Sequence, residues 1–389
     1  MFFISDENDI KSGNTSDIYF KRAEEILKKK KLNPNVKAEI FLKGFPNNYK
    51  WGVLSGIEES IKLLQGIKGL RVKGLPEGTI FKEEQPVLLI EGNYLDFGIF
   101  ETAILGFICH SSGISTKAAR CKIAANDKLI FNFGARRVHP AITPMVERCA
   151  YIGGLDGVST IKGAQVINKQ PVGTMPHALI LIFGDTVKAT SAFNEIIDKN
   201  VNRVSLIDTF NDEKFEAIRV CNELGSNLFA LRLDTPGSRR GNFRKILEEI
   251  RWELDIRGFK NVKLMVSGGL DEDEILNLSD IVDAFGVGTS ISGARVLDFS
   301  MDIVEINGEP LAKRGKKSGA KKLIRCSRCF EDKIILENDH SSNYICNKCG
   351  GAYDDLFETF IEDGNLVYSL LPPEQVREKV IKQLSFLSL

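Results

Sequence analysis

The sequence predicts an α/β protein with a parallel sheet, joined to a mixed α and β region and to a small cysteine-rich module. Three observations support this prediction. After residue 202 short apolar strands alternate with helices, before about residue 114 strand and helix signals mix less regularly, and two cysteine pairs occupy residues 326–349. At 389 residues the chain exceeds the usual size of one hydrophobic core. We predict domains at residues 1–114, 115–300 and 301–389.

The first region combines both kinds of secondary structure. VKAEIFLKGF, LRVKGL and PVLLIEG are strand candidates, whereas WGVLSGIEESIKLLQGI has helical periodicity. Pro76, Gly78 and Pro86 divide the region, as expected at turns. The pattern favours a mixed α and β domain over a helix bundle.

The alternation in the second region is typical of βα units. RVSLIDTF, LFALRLDT, VKLMVSGG and VDAFGVGT are apolar runs separated by helical segments, and their lack of polar alternation indicates burial on both faces. One connecting helix places Phe243, Leu247, Ile250 and Leu254 on a single stripe. The region is therefore predicted to form parallel strands covered by helices.

Polar residues and glycines follow each of these strands. Ligands bind at the C-terminal edge of a parallel α/β sheet or barrel, so the strand ends predict one shared site. A Gly-x-Gly-Thr segment before a helix offers backbone N–H groups to a phosphate, and neighbouring carboxylates suit ribose hydroxyls or a magnesium ion that carries phosphate oxygens. The predicted ligand is a sugar phosphate. The residues concerned are Asp208, Arg232, Asp234, Ser267, Gly268, Gly269, Gly286, Gly288 and Thr289.

The cysteines of the third region have the spacing of a zinc ribbon. Cys326 and Cys329 form one Cys-x2-Cys pair, and Cys346 and Cys349 form another, sixteen residues further on. Four thiolates complete a tetrahedron and leave no open position, so we predict a structural zinc site. The other four of the eight cysteines are scattered and are predicted to be small buried residues.

The overall charge argues against a dedicated nucleic-acid-binding protein. Lys+Arg and Asp+Glu both number 52, which removes a global positive field. A zinc-ribbon nucleic-acid-binding protein stays an alternative of a different class, because the basic segment from Lys313 to Lys322 precedes the cysteines. The acidic N-terminal segment, and the lack of a stretch judged long enough to span a membrane, predict a cytoplasmic protein without a membrane partner.

A series of motifs resembles the nicotinate phosphoribosyltransferases and their nicotinamide-specific relatives, the type II phosphoribosyltransferases. In order they are SDIYF, LPEGTIFKEEQPVLLIEG, ETAILGFICHSSGISTKAAR, FNFGARR, IKGAQV, GTMPHALI, LIDTF, LRLDTPG, VSGGLDEDEI and FGVGTSI. The resemblance implies an irregular parallel α/β barrel, an N-terminal α+β sandwich domain and a small C-terminal zinc-knuckle module. It also implies transfer of the phosphoribosyl group of 5-phosphoribosyl 1-pyrophosphate to nicotinate, giving nicotinate mononucleotide and pyrophosphate in NAD biosynthesis.

The resemblance assigns the pyridine site to aromatic and basic residues. Phe133 would stack on one face of the ring and Tyr19 of a partner subunit on the other, which requires a homodimer or a higher homo-oligomer with shared active sites. Arg136, with Arg137, would face the carboxylate and phosphate. Nicotinamide-specific relatives carry aspartate where this chain has Gln165, so nicotinate is favoured, with nicotinamide and quinolinate phosphoribosyltransferase as alternatives.

The resemblance also assigns the phosphoribosyl pyrophosphate site. His177, Asp208 and Asp234 would be the catalytic residues, and the two aspartates with Arg232 would hold ribose hydroxyls and magnesium pyrophosphate. Some members phosphorylate the histidine with ATP. Here Pro and Ala replace Ala and Ser around it, which leaves ATP coupling open. The remaining substrate-binding residues would be Thr174 and, around the 5-phosphate, Gly268, Gly269, Gly286, Gly288 and Thr289.

Overall fold

The computed structural model describes residues 2–339 and 344–389. The chain forms two compact units, one of residues up to Thr116 together with Arg295–Ser388, and one of Lys117–Ala294. The division at residues 114 and 300 stays a prediction. The C-terminal segment, which we expected as a separate domain, groups here with the N-terminal one.

The N-terminal segment of the first unit mixes helices and strands, as predicted. Its elements are α1 (Glu7–Lys11), α2 (Ile18–Lys30), β1 (Asn35–Leu42), β2 (Gly52–Val53), α3 (Ile57–Leu64), β3 (Arg71–Gly74), β4 (Ile80–Phe81), β5 (Pro86–Asn93), α4 (Tyr94–Phe97) and the start of α5 (Glu101–Ala125).

Helix α5 lies in the segment Tyr94–Ala125, which is long and apolar enough to span a membrane by length and composition. The sequence analysis did not single out this segment as membrane-spanning in length. Ile104, Ile108, Ile114 and Cys121 on this helix are fully buried within the protein. Its apolar residues are therefore used in packing, as in the core helix of a globular protein.

The second unit alternates strands and helices. Its six strands are all parallel and pair in the order β7-β6-β11-β10-β9-β8, which confirms the predicted α/β class. Helix α12 buries Phe243, Leu247, Ile250 and Leu254, as its stripe predicted. The elements are β6 (Leu129–Asn132), α6 (Thr143–Ile152), β7 (Gly157–Val158), α7 (Ile161–Val166), α8 (His177–Phe183), α9 (Thr186–Ile196), β8 (Val204–Leu206), α10 (Glu213–Leu224), β9 (Ala230–Leu233), α11 (Gly237–Arg240), α12 (Phe243–Ile256), β10 (Lys263–Ser267), α13 (Glu272–Leu278), β11 (Ala284–Val287) and α14 (Thr289–Ser292).

The C-terminal segment completes the sheet of the first unit. An antiparallel sheet of seven strands has the order β13-β12-β1-β5-β3-β17-β18, so three N-terminal strands lie at its centre with two C-terminal strands on each side. A smaller sheet has the order β15-β14-β16. The elements are β12 (Phe299–Ile306), β13 (Glu309–Pro310), β14 (Lys321–Cys326), β15 (Asp332–Leu336), β16 (Tyr353–Asp355), β17 (Glu358–Glu362), β18 (Asn365–Leu366) and α15 (Pro373–Leu384).

Candidate functional site

A cavity of about 530 Å³ lies at the C-terminal ends of the parallel strands in the second unit. This is the edge at which ligands bind in parallel α/β proteins. The polar and aromatic residues of its wall include six that the sequence analysis proposed and one that it did not. They are Phe133, Arg136, Thr174, His177, Arg232 and Asp234, with Ser159 as the addition.

Phe133 follows strand β6 and is held in place by its neighbours. Its backbone N–H donates to the carbonyl oxygen of Val287 at 2.8 Å, which continues the pairing of β6 with β11. The Arg232 guanidinium carbon lies 5.2 Å from the centre of the Phe133 ring, within cation–π range. A Cβ atom at Gly286 would lie 2.4 Å from a ring carbon of Phe133, so the position of this ring requires glycine there.

Two carboxylates and one imidazole meet at the ends of β8 and β9. His177 Nε2 lies 3.7 Å from Asp208 Oδ2 and 3.8 Å from Asp234 Oδ2, and its Nδ1 lies 3.0 Å from Thr209 Oγ1. Neither carboxylate oxygen of Asp208 has a hydrogen-bond partner among the described residues, although the side chain is only 1% exposed. Burial raises the pKa of Asp208. A buried carboxylate that accepts no hydrogen bond is costly, so we expect a ligand to satisfy it.

Arg232 organises the wall beside Asp234. It donates from Nε to Ser267 Oγ and from Nη1 to Thr174 Oγ1, both at 2.9 Å. Its Nη2 lies 3.2 Å from Asp234 Oδ2, and Ser267 Oγ donates to Asp234 Oδ1 at 2.7 Å. Four predicted residues, on one loop and two strand ends, are thus joined directly: Thr174, Arg232, Asp234 and Ser267. Asp234 Oδ2 thus lies between the Arg232 guanidinium and the His177 ring, and all three residues line the cavity.

The predicted phosphate residues lie next to this wall and not in it. Gly268 and Gly269 have positive φ angles of 85° and 64°, which only glycine adopts readily. Arg240 spans this turn, because its guanidinium donates to the carbonyl oxygens of Thr235, Ser267 and Gly268. Gly286 contacts Phe133 as described, and Gly288 and Thr289 stand at the start of α14.

Besides the five predicted phosphate residues and Ser267, four other residues predicted for the substrate site are not part of the cavity wall: Asp208, whose contacts are described above, Arg137, Gln165 and Tyr19. Arg137 ends the short 3-10 helix Ala135–Arg137 and is exposed. Gln165 is exposed on α7. Tyr19 belongs to α2 in the first unit, where its side chain is 58% exposed. Their roles stay predictions.

Sequence reasoning missed Ser159 and Arg240. Ser159 stands two positions before the IKGAQV motif, and a serine in a loop carries no distinctive signal. Arg240 lies in the exposed-looking run GSRRGN, where two adjacent arginines resemble a solvated turn.

The four paired cysteines come together in the first unit, as predicted. The sulfur atoms of Cys326, Cys329, Cys346 and Cys349 all lie within 4.8 Å of one another. Cys326 Sγ lies 3.4 Å from Cys349 Sγ, and Cys329 Sγ lies 3.5 Å from Cys346 Sγ. Four sulfurs at these separations fit a tetrahedral zinc ion, with metal–sulfur bonds of about 2.3 Å.

The basic segment from Lys313 to Lys322 is largely neutralised by acids of its own unit. Lys313 and Lys316 both pair with the buried Asp302, and Lys321 pairs with the buried Glu39 at 3.0 Å. Cations already held by carboxylates offer little to a nucleic-acid backbone.

Comparisons with known proteins agree with this arrangement. Residues 17–112 match the family described as quinolinate phosphoribosyl transferase, N-terminal domain, and residues 114–302 match its C-terminal domain. A nicotinate phosphoribosyltransferase of Bacillus subtilis is 26% identical over 84% of this chain and 72% of its own length. One of Mycobacterium tuberculosis is 30% identical over 66% of this chain, which spans 59% of that relative.

Two solved structures share the fold. The crystal structure of a nicotinate-nucleotide pyrophosphorylase from Pyrococcus furiosus is 49% identical, with a TM-score of 0.97 over 100% of this chain and 99% of that one. The human nicotinic acid phosphoribosyltransferase has a TM-score of 0.75 at 16% identity, over 96% of this chain and 94% of that one.

Proposed function

The chain belongs to the quinolinate and nicotinate phosphoribosyltransferase family, and from that premise we propose that it joins nicotinate to 5-phosphoribosyl 1-pyrophosphate, giving nicotinate mononucleotide and pyrophosphate. The observation that carries the proposal is Asp208, a buried carboxylate that accepts no hydrogen bond from the described residues, beside Asp234, Arg232 and His177. Such a cluster suits ribose hydroxyls and a pyrophosphate group. The reaction serves NAD biosynthesis.

The side chains divide the work of the transfer. Phe133 would bind the pyridine ring face to face, so that its nitrogen is aligned with C1 of the ribose. As pyrophosphate leaves, positive charge develops on the ribose, and the carboxylates of Asp208 and Asp234 stabilise it. His177 and Arg232 are placed to bind the departing anion. The protein supplies position and charge, and no covalent nucleophile is needed.

Magnesium enters the proposal as the ion bound to the pyrophosphate substrate. Asp208 and Asp234 would hold it, since oxygen ligands from carboxylates are those that magnesium prefers. When bound, the ion neutralises charge on the pyrophosphate group. The free oxygens of Asp208 fit this role.

The different positions of the adjacent residues Arg136 and Arg137 favour nicotinate over quinolinate as the substrate. Arg136 lines the cavity, whereas Arg137 does not, so the wall offers one of the two guanidinium groups to a substrate carboxylate. A dicarboxylate would leave its second charge without this partner. The names of the Bacillus and Mycobacterium relatives agree with nicotinate. Nicotinamide and quinolinate stay as the alternatives to be tested.

We propose that the enzyme is a homodimer whose sites are completed by Tyr19 of a partner. Helix α8 exposes the run Leu181, Ile182 and Phe183, with Ile182 at 82% exposure. Helix α2 exposes Tyr19 and its neighbour Ile18. Exposed apolar residues of this kind are typical of subunit contacts. Mixing Phe133→Ala with Tyr19→Ala protein should restore part of the activity that each lacks, because one site in a hybrid dimer is intact.

Zinc, ATP and cellular location complete the proposal. The four cysteines would hold one zinc ion. Its role would be structural only, because it would fix the positions of the four side chains. ATP coupling would act through His177, and phosphate release from ATP that depends on nicotinate would reveal it. None of the eight cysteines, all of which the structure describes, forms a disulfide, which suits a reducing compartment and supports a cytoplasmic location.

The test is a direct assay with magnesium, phosphoribosyl pyrophosphate and nicotinate. We expect nicotinate mononucleotide and pyrophosphate in equal amounts, and loss of both with Asp208→Asn. Asp283→Asn is the matched control, because Asp283 pairs with Lys263 at the N-terminal edge of the same parallel sheet, where β10 and β11 begin. Lack of turnover by well-folded wild-type protein would contradict the proposal.

A further inference from the structure

A buried carboxylate stands behind the cavity wall on helix α6. Glu147 is 0% exposed and accepts four hydrogen bonds from two consecutive residues. Its Oε1 accepts from Ser159 N and Ser159 Oγ, both at 2.9 Å, and from Thr160 N at 3.1 Å. Its Oε2 accepts from Thr160 Oγ1. Both carboxylate oxygens are therefore engaged by this one turn of the chain.

The same turn begins helix α7. Thr160 is its N-cap, and Thr160 Oγ1 accepts from Gly163 N at 3.1 Å while donating to Glu147. A Cβ atom at Gly163 would lie 1.8 Å from Glu147 Oε2 and 3.0 Å from Glu147 Cβ. The glycine of the IKGAQV segment is thus required by the buried carboxylate beneath it, and α6 and α7 meet at Glu147.

The turn also forms part of the substrate wall. Ser159 lines the cavity together with Phe133 and Arg136, the residues proposed to bind the pyridine ring and its carboxylate. The backbone N–H and the hydroxyl of Ser159 are both directed to Glu147, so the carboxylate fixes the orientation of Ser159. Charged acceptors make stronger hydrogen bonds than neutral ones, which suits a rigid wall.

We propose that Glu147 is a positioning residue for the pyridine-carboxylate subsite: it holds Ser159 and the start of α7 against the cavity without touching the substrate. This inference rests on the proposed function. It assigns to Glu147 an effect on nicotinate binding, whereas a residue that merely stabilised the fold would lower the apparent kcat through the folded fraction and leave both KM values unchanged.

Two substitutions separate shape from charge. Glu147→Gln keeps the size of the side chain but replaces one acceptor oxygen with a donor, so Thr160 Oγ1 loses its acceptor. Ser159→Ala removes the other partner in the contact between Ser159 and Glu147, the Ser159 hydroxyl. Glu147 then still accepts three of its four hydrogen bonds, so this variant should fold even if Glu147→Gln does not. We expect either variant to raise the KM for nicotinate about tenfold, while kcat and the KM for phosphoribosyl pyrophosphate change less than about twofold.

The double variant tests whether the two residues act as one unit. If Glu147 acts through Ser159, the KM increase of the double variant should be well below the product of the single increases, because coupled residues are not additive. Glu39→Gln is the control: Glu39 is a buried carboxylate of the first unit, paired with Lys321. It should lower stability without changing the KM for nicotinate. Multiplicative KM effects, or unchanged KM in folded single variants, would overturn the inference.

Hydrogen exchange gives a readout that needs no substrate. In Glu147→Gln we expect the amides of residues 159–166 to exchange at least about tenfold faster than in the wild type, with the strands β8 to β11 unchanged. Unchanged protection of residues 159–166 would refute the tether whether or not the protein uses nicotinate. Faster exchange in a protein that does not turn over nicotinate would uphold the tether and refute the proposed function instead.

Discussion

Replacing Gly286 with alanine adds one methyl group directly under the ring proposed to bind nicotinate. The new Cβ would lie 2.4 and 2.5 Å from two ring carbons of Phe133 and 3.2 Å from Ser267 Cβ. Carbon atoms in contact sit about 3.5–4.0 Å apart, so the ring must move by roughly 1–1.5 Å. Gly286 belongs to a regular strand, so the strain comes from this contact rather than from the backbone.

The expected magnitudes follow from that displacement. Overpacking of this kind costs about 1–3 kcal/mol of folding stability. A displaced Phe133 ring loses stacking on the pyridine ring of nicotinate, which is worth about 0.5–1.5 kcal/mol. This loss corresponds to an increase in the KM for nicotinate of up to about tenfold. The KM for phosphoribosyl pyrophosphate should change less, because the atoms nearest the new methyl group belong to Phe133 and Ser267 and not to Asp208 or Asp234.

Steady-state kinetics and denaturant unfolding measure both effects. Gly106→Ala is the matched control, because a Cβ there meets no atom within 4 Å, and in the middle of α5 it should stabilise the protein by about 0.5–1 kcal/mol. A Gly286→Ala protein with the stability loss but a wild-type KM for nicotinate would refute stacking on Phe133. A variant with neither change would refute the placement of the ring itself.

Three further predictions concern pH, the ribose site and zinc. Burial, with Asp302 nearby, raises the pKa of Glu101 from 4.5 to about 7, so the stability of the folded protein should fall as pH rises from 4.5 to 7. Glu101→Gln should therefore stabilise the protein by about 1–2 kcal/mol at pH 8, allowing for solvent screening, and have little effect at pH 4. Thermal melts at both pH values would measure this difference. Equal shifts at the two pH values would contradict this. Asp208→Asn should lower kcat by at least about 100-fold. It should not destabilise the free protein, because the Asp208 carboxylate has no hydrogen-bond partner among the described residues. A large loss of stability in melting experiments would contradict that reasoning. Elemental analysis should find one zinc ion per chain that requires Cys326 and Cys349, and its chelation should lower the melting temperature; full metal content in Cys326→Ser would refute the site.

The features that sequence reasoning located depend on short-range patterns. Asp208, Arg232 and Asp234 were expected to meet because parallel strands end at one edge, and the structure brings them together with His177. The cysteine pairs were equally readable, since the spacing within each pair places two thiols in one turn. In both cases a short sequence pattern is enough to predict which side chains lie close together.

Features that depend on distant pairing were less accessible. Strand β12 pairs with β1 and β17 pairs with β3, so the C-terminal segment enters the N-terminal sheet although its sequence suggested a separate module. Glu147 reads as an ordinary helical glutamate in MVERCAY, and only the packing of α6 on α7 shows it to be buried. Gln165 and Arg137 lie in motifs that resemble those of the family, yet both residues are exposed and neither is part of the cavity wall.

The most direct test of the account is competition among three pyridines. Nicotinate, nicotinamide and quinolinate, each with a different isotopic label, would be supplied together at equal concentration with magnesium and phosphoribosyl pyrophosphate, and the labelled mononucleotides would be identified by mass spectrometry. The account expects nicotinate mononucleotide that carries the nicotinate label as the main product. A main product that carries the quinolinate or nicotinamide label would contradict the assignment of substrate to Arg136 and the cavity at the strand ends.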